Sequence, residues 1–132
     1  MLLEVAPGIE LPLPMALGAS KALIDHRIYT IPLRKMGEFV EVFDRMAMPI
    51  LLATLGTPLG FWTSLVGPQN QFVHLWGYDS LADYEARSRA RDMHPDFPAY
   101  LAASAHLITA QETRLIRRVD MPSLRVNLAR NS

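Results

Sequence analysis

Arg27 and Tyr29 stand two residues apart in one short alternating run, and His74 stands beside Phe72 and Trp76 at the same spacing in another. An imidazole titrates near neutrality and can move a proton or orient a substrate. A guanidinium beside a phenol can hold an anionic or carbonyl oxygen. These three are the candidate catalytic residues, with His74 as acid/base and Arg27 and Tyr29 stabilising a developing enolate. Trp62, Phe72, Trp76 and Glu112 are the candidate substrate-binding residues. Each has a structural counterpart. His74 can be a buried ring bonded to a carboxylate or the backbone, Arg27 an ion-pair partner of Asp25 or Glu112, and the aromatics an interface core.

Other chemistries find little support. The 132 residues contain no cysteine, which removes disulfides and thiolate catalysis. No second His or carboxylate sits at ligand spacing near His74, so neither a metal nor a cofactor is expected. Gly-x-Ser-x-Gly is absent, as is a glycine-rich phosphate loop. Thirteen Lys and Arg balance thirteen Asp and Glu, without the basic footprint that nucleic acid requires. His26, His94 and His106 show no partner pattern. Arg87, Arg89 and Arg91 read as a solvated helix end.

Residues 46–73 hold no charge, but Pro49, Gly56, Pro58, Gly60, Gly67 and Pro68 cut the run far below the ~20 residues of a spanning helix. The first twenty residues lack the basic start of a secretory signal. The expectation is a soluble cytoplasmic protein without an integral membrane segment.

The elements that must position these side chains follow from periodicity. Residues 23–31 read as a strand with Asp25, Arg27 and Tyr29 on one face and Ile24, His26 and Ile28 on the other. In residues 35–55, Phe39, Val42, Phe43, Met46 and Ile50 form one helical stripe, and Pro49 should kink or break the helix near Met46. Residues 59–66 and 71–78 read as an antiparallel hairpin around Gly67-Pro68-Gln69-Asn70, whose amide side chains can satisfy turn backbone. Ser80 and Asp83 cap a helix over 81–91. A break at 94–98 precedes a short helix over 98–105, and residues 106–119 form the last strand. Residues 1–20 read as an extended arm and 120–132 as a tail, flanking one domain over 21–119.

Strand-helix-strand twice over is the split βαβ pattern, an α+β ferredoxin-like fold with a four-stranded antiparallel sheet and two main helices on one face. The sheet's other face needs cover. The candidates for it, Tyr29, Trp62, Phe72, Trp76 and Tyr78, are too large and apolar to stay wet. A homodimer that packs two sheets face to face as an α/β barrel supplies that cover. Arg27 and His74 then become the polar groups of an apolar pocket.

Asp-His-Arg-Ile-Tyr-Thr-Ile (25–31) resembles the first-strand motif of the NIPSNAP family. The run from Gly67 through Trp76 and Tyr78-Asp79-Ser80-Leu81 resembles that family's central motif. Gln111-Glu112-Thr113-Arg114-Leu115-Ile116 resembles its last strand, with Thr113 where Asn is expected. The resemblance covers about residues 23–118 and implies a dimeric α/β barrel, without a catalytic residue set to carry over. Two functions stand against each other. One is a small apolar carbonyl or aromatic ligand in the barrel, with cyclase, isomerase or cofactor-free monooxygenase proton transfer. The other is a non-enzymatic interaction module with a filled barrel.

Overall fold

The computed structural model describes residues 21–123. The expected arm over 1–20 and the tail contacts at Leu124, Val126 and Leu128 lie outside the described residues. The elements run β1 (Leu23–Thr30), α1 (Met36–Val42), a π turn (Phe43–Ala47), α2 (Met48–Thr54), β2 (Thr57–Thr63), β3 (Gln71–Tyr78), α3 (Leu81–Asp92), α4 (Phe97–Ser104), a 3₁₀ turn (Ala105–Leu107) and β4 (Ala110–Arg117). The strands form one antiparallel sheet in the order β2-β3-β1-β4. This is the ferredoxin-like α+β arrangement, with β1 and β3 central.

The helices cover the aromatic face of this sheet. Register places Asp25 opposite Trp76, Arg27 opposite His74 and Tyr29 opposite Phe72. Successive strand residues alternate faces, so all six point the same way. Phe39 of α1 meets the Tyr29 ring at 6.2 Å and the Phe72 ring at 5.0 Å, and Phe43 meets Phe72 at 5.1 Å. The expectation that Tyr29, Phe72, Trp76 and Tyr78 form the face turned away from the helices is therefore wrong. Both faces of β1 and β3 carry large apolar side chains. The helical stripe of Phe39, Phe43 and Leu51 selected the aromatic one, because rings interlock edge to face there.

The opposite face carries Ile24, Ile28, Val73 and Leu75 at its centre, with Trp62, Glu112, Arg114 and Ile116 around them. No described helix packs against it. Trp62 lies along its own strand, over Gly60, where an added Cβ would meet the indole at 2.5 Å.

Pro49 does not break the helix. The backbone stays helical from Met36 to Thr54, and the chain widens into the π turn immediately before Pro49. A proline lacks one N–H and crowds the preceding turn; a π turn accommodates both without ending the helix. Pro58 sits inside β2, which an edge strand tolerates, with a register shift between Pro58 and Gly60.

The hairpin loop spans residues 64–70 and is longer than expected. Asn70 takes the left-handed conformation at φ 60°, and its carbonyl accepts from Ile31 N–H at 2.7 Å. Ser64, not an amide side chain, accepts from Gln71 N–H at 3.2 Å. Helix α3 begins as its cap predicts. Ser80 Oγ accepts from Asp83 N–H, and Asp83 Oδ2 accepts from Asp79 N–H, both at 3.0 Å. Arg87 is not simply solvated: it donates to the Leu55 carbonyl at 3.2 Å and ties α3 to the end of α2.

Phe39 is fully buried at the centre of these rings. Phe39→Ala should cost about 3–5 kcal/mol in urea unfolding, whereas Leu65→Ala, in the exposed loop, should change stability by less than about 0.5 kcal/mol. Equal effects at the two positions would contradict this packing.

Candidate functional site

The site begins on β1. Asp25, Arg27 and Tyr29 point under the helix layer, and Arg27 turns back along the strand toward Asp25. Its Nε donates to Asp25 Oδ2 at 2.8 Å, with the carboxylate fully buried. Its Nη1 lies 3.5 Å from the Tyr29 hydroxyl. Arg27 therefore pairs with Asp25 and not with Glu112. Burial works against the Arg27 charge, but the Tyr29 phenol and the Asp25 carboxylate outweigh it and raise the guanidinium above its ordinary value. Burial pushes the Asp25 carboxyl up, against the pull of Arg27.

His74 sits opposite Arg27 on β3, 1% exposed. Rings enclose it: Tyr29 at 4.8 Å, Phe43 at 5.5 Å, Phe72 at 5.2 Å and Phe61 stacked at 6.0 Å. Trp76 Nε1–H donates to His74 Nδ1 at 2.9 Å. An indole N–H can only donate, so Nδ1 must be bare and the neutral ring carries its proton on Nε2. That Nε2 is buried and has no hydrogen-bond partner among the described residues. Burial, helped by the Arg27 charge, pushes the imidazole down to about 3. The ring is thus neutral at ordinary pH and offers an N–H. Desolvation thus disfavours the charged imidazolium at this position.

A cavity of ≈ 560 Å³ opens over these groups, between the sheet and the helices. Arg27, Tyr29 and His74 line its sheet side. Phe43, Leu51 and Leu55 come from the long helical segment, Tyr100, Leu101 and Ser104 from α4, and Arg91 from the last turn of α3. Burial pushes the Tyr100 phenol up to about 12, so it stays protonated. Ser104 Oγ donates to the Tyr100 carbonyl at 2.9 Å.

The seven residues singled out from sequence divide into three groups. Arg27, Tyr29 and His74 meet at the cavity. Phe72 and Trp76 stand behind it, packed on or bonded to His74. Trp62 and Glu112 project from the opposite face of the sheet, where Trp62 pairs with Val73 and Glu112 with Ile28. Strand alternation excludes both from this cavity. Sequence reasoning missed Arg91, whose side chain is 15% exposed, and Tyr100. Tyr100 falls in the expected short helix and Arg91 in a charged helix end, and neither spacing shows that the chain folds them over β1. Among the described residues no three His, Asp or Glu side chains converge as a metal site requires, and no helix is long and apolar enough to cross a membrane.

The buried neutral ring has a consequence for acid stability. The unfolded chain takes up a proton at His74 near pH 6.5, while the folded chain resists until about 3. The unfolded state therefore binds more protons in that window. Stability should be intact above pH 6.5 and fall as pH drops through the window, with a slope approaching about 1.4 kcal/mol per pH unit. His74→Gln should lose that component. Ring-nitrogen NMR at pH 5 should show Nε2 protonated and Nδ1 bare; an imidazole that titrates near 6.5 would refute the assignment.

Comparisons place this geometry among known folds. A NIPSNAP family protein from Agrobacterium tumefaciens superimposes with a TM-score of 0.72 at 28% identity, covering 75% of this chain and 94% of that one. A NIPSNAP-like domain protein from Burkholderia xenovorans gives a TM-score of 0.70 at 27% identity, over 78% and 88% of the two chains. A putative antibiotic biosynthesis monooxygenase from Nitrosomonas europaea gives 0.57 at 11% identity, over 74% and 99%, and shares the fold alone. No curated protein matches the chain. The NIPSNAP family profile matches residues 24–122, three quarters of the sequence, and the chain belongs to the NIPSNAP family.

Proposed function

We propose that this protein binds a small apolar carbonyl or aromatic compound in the cavity between sheet and helices and polarises its oxygen. The observation that carries the reading is a cavity whose sheet-side wall holds Arg27, Tyr29 and His74, the last with a buried Nε2–H that has no partner among the described residues. An unpaired buried donor costs about 1–3 kcal/mol. A ligand oxygen removes that cost. Arg27 stands opposite His74 with no hydrogen bond from its Nη2 to a described residue, and the Tyr29 oxygen accepts from Arg27 Nη1. Polar groups of this kind at one cavity wall suit an oxygen that gains negative charge. The volume falls within the range of small-molecule sites, and aromatic and leucine side chains supply the apolar wall.

Donors of this kind favour an enolate over its parent carbonyl. Proton transfer next to that carbonyl, with water or the substrate's own groups taking the proton, is the chemistry such a site would serve, as in cyclase, isomerase or cofactor-free oxygenase reactions. His74 then acts as electrophile, not as base.

The sheet face that no described helix covers supports the second half of the proposal, a homodimer joined through it. Ile28, Val73 and Leu75 form an apolar patch there beside His26 and the buried Ile24, with no described helix against them. Two copies packed through this patch would form the barrel, with each ligand cavity on the outer, helix-covered side of its own sheet.

Two measurements test the two halves. Propiophenone, a neutral aryl ketone, should shift the NMR signals of Arg27, His74 and Tyr100, and Tyr29→Phe should weaken its binding up to roughly tenfold. Unshifted cavity signals at millimolar ketone would return the interaction-module reading. Leu75→Arg should convert a dimer to a monomer in light scattering; a monomeric wild type would remove the barrel.

A further inference from the structure

We propose that the ligand of this cavity is an oxo acid and that Arg91 reads its carboxylate, while His74, Arg27 and Tyr29 take its carbonyl oxygen. The inference rests on the cavity reading above and adds the class of compound.

Two guanidiniums line one cavity, and they are committed differently. Arg27 spends Nε on Asp25 and Nη1 on Tyr29. Its charge is compensated by a carboxylate that is itself fully buried. Arg91 gives only Nε, to Asp92 at 2.9 Å, and its Nη edge has no partner among the described residues. Asp92 is 58% exposed while Arg91 is 15% exposed. Water screens the Asp92 side of this pair, which also lines the cavity, and Arg91 acts on the buried Asp25 carboxylate only through space, with no hydrogen bond between them. Arg91 also packs against the Phe97 ring, its Cζ 5.6 Å from the centroid, which fixes the guanidinium on the cavity wall. A guanidinium held this way presents a planar two-donor edge, the shape that a carboxylate accepts in bidentate fashion.

The two polar ends rest on different elements. Arg91 closes α3, and the carbonyl donors lie on β1 and β3. Leu51, Leu55 and Leu101 supply apolar wall in the same cavity. A ligand that satisfies both ends has a carboxylate at one end, a carbonyl oxygen at the other and an apolar body. A neutral ketone would use the His74 end and leave the Arg91 edge unmet. A simple fatty acid would use the Arg91 edge and leave the buried His74 N–H unmet.

The test compares 3-benzoylpropanoate with 3-benzoylpropanamide, which share the aryl ketone and differ in the terminal charge. The oxo acid should bind at least about tenfold more tightly by NMR titration or calorimetry, as a hydrogen-bonded charge implies. That ratio should shrink as salt rises. Arg91→Gln should bring the ratio close to one. Arg91→Lys keeps the charge without the fork and should retain only part of it. Equal affinities in the wild type, with both compounds shifting the cavity signals, would overturn the oxo-acid assignment and leave the carbonyl reading standing. A ratio that survives Arg91→Gln would also overturn it, because the carboxylate would then be read elsewhere. If neither compound nor propiophenone shifts a cavity residue, the carbonyl reading fails as well.

Discussion

The buried pair of Asp25 and Arg27 is the constraint on which the site depends. A carboxylate and a guanidinium under a helix layer lose most of their hydration, and their mutual attraction repays this only with good geometry. Here the geometry is local. Two residues apart on one strand face, the side chains meet through Nε at 2.8 Å without displacing the backbone. Tyr29, two residues further along, takes the other side of the guanidinium. Period-two alternation thus makes a three-residue polar ladder inside an aromatic core. The pair is weak evidence for stability, since apolar residues could fill the same volume. It does fix where a cation faces the cavity.

The same constraint explains why core and site share one surface. Cross-strand register puts His74 beside Arg27, and the guanidinium then helps hold the imidazole neutral. Trp76 is bound both ways: its ring is core, and its N–H decides which nitrogen of His74 keeps the proton. The π turn completes the enclosure. It carries Phe43 over both Phe72 and His74 at 5.1 and 5.5 Å. A single extra residue in a helical turn shifts which side chains face the sheet, and Pro49 makes that widening cheap at this point.

Much of the fold was legible because its signals are local. Gly67-Pro68, Asn70 and Ser80-Leu81-Ala82-Asp83 fix a turn and a cap through backbone preference, and β3 appears at its expected bounds. The choice of face was not legible. Alternation tells which side chains share a face, and it grouped Asp25, Arg27 and Tyr29 correctly. It cannot tell which face the helices choose when Ile28 and Val73 on one side compete with Tyr29 and Phe72 on the other. That decision belongs to ring packing between distant segments. Arg91 was illegible for a related reason. On α3 it continues a series with Arg87 and Arg89, and the return of α4 brings the Phe97 ring against it.

The electrostatics narrow the chemistry more than the residue types do. His74 beside Arg27 and Tyr29 suggests general acid–base catalysis, since an imidazole can exchange protons near neutrality. In this setting burial and neighbouring charge favour one state for His74, Arg27 and Tyr100. The imidazole is kept neutral by burial and by Arg27, the guanidinium is kept charged by its carboxylate, and the Tyr100 phenol across the cavity is kept protonated. A site whose groups do not change protonation cannot shuttle a proton through them. It can lower the energy of an oxyanion, because donors fixed in advance need no reorganisation as charge develops. On the function proposed above, the protein contributes a stabilised oxygen, and the proton leaves through water or through the substrate's own groups.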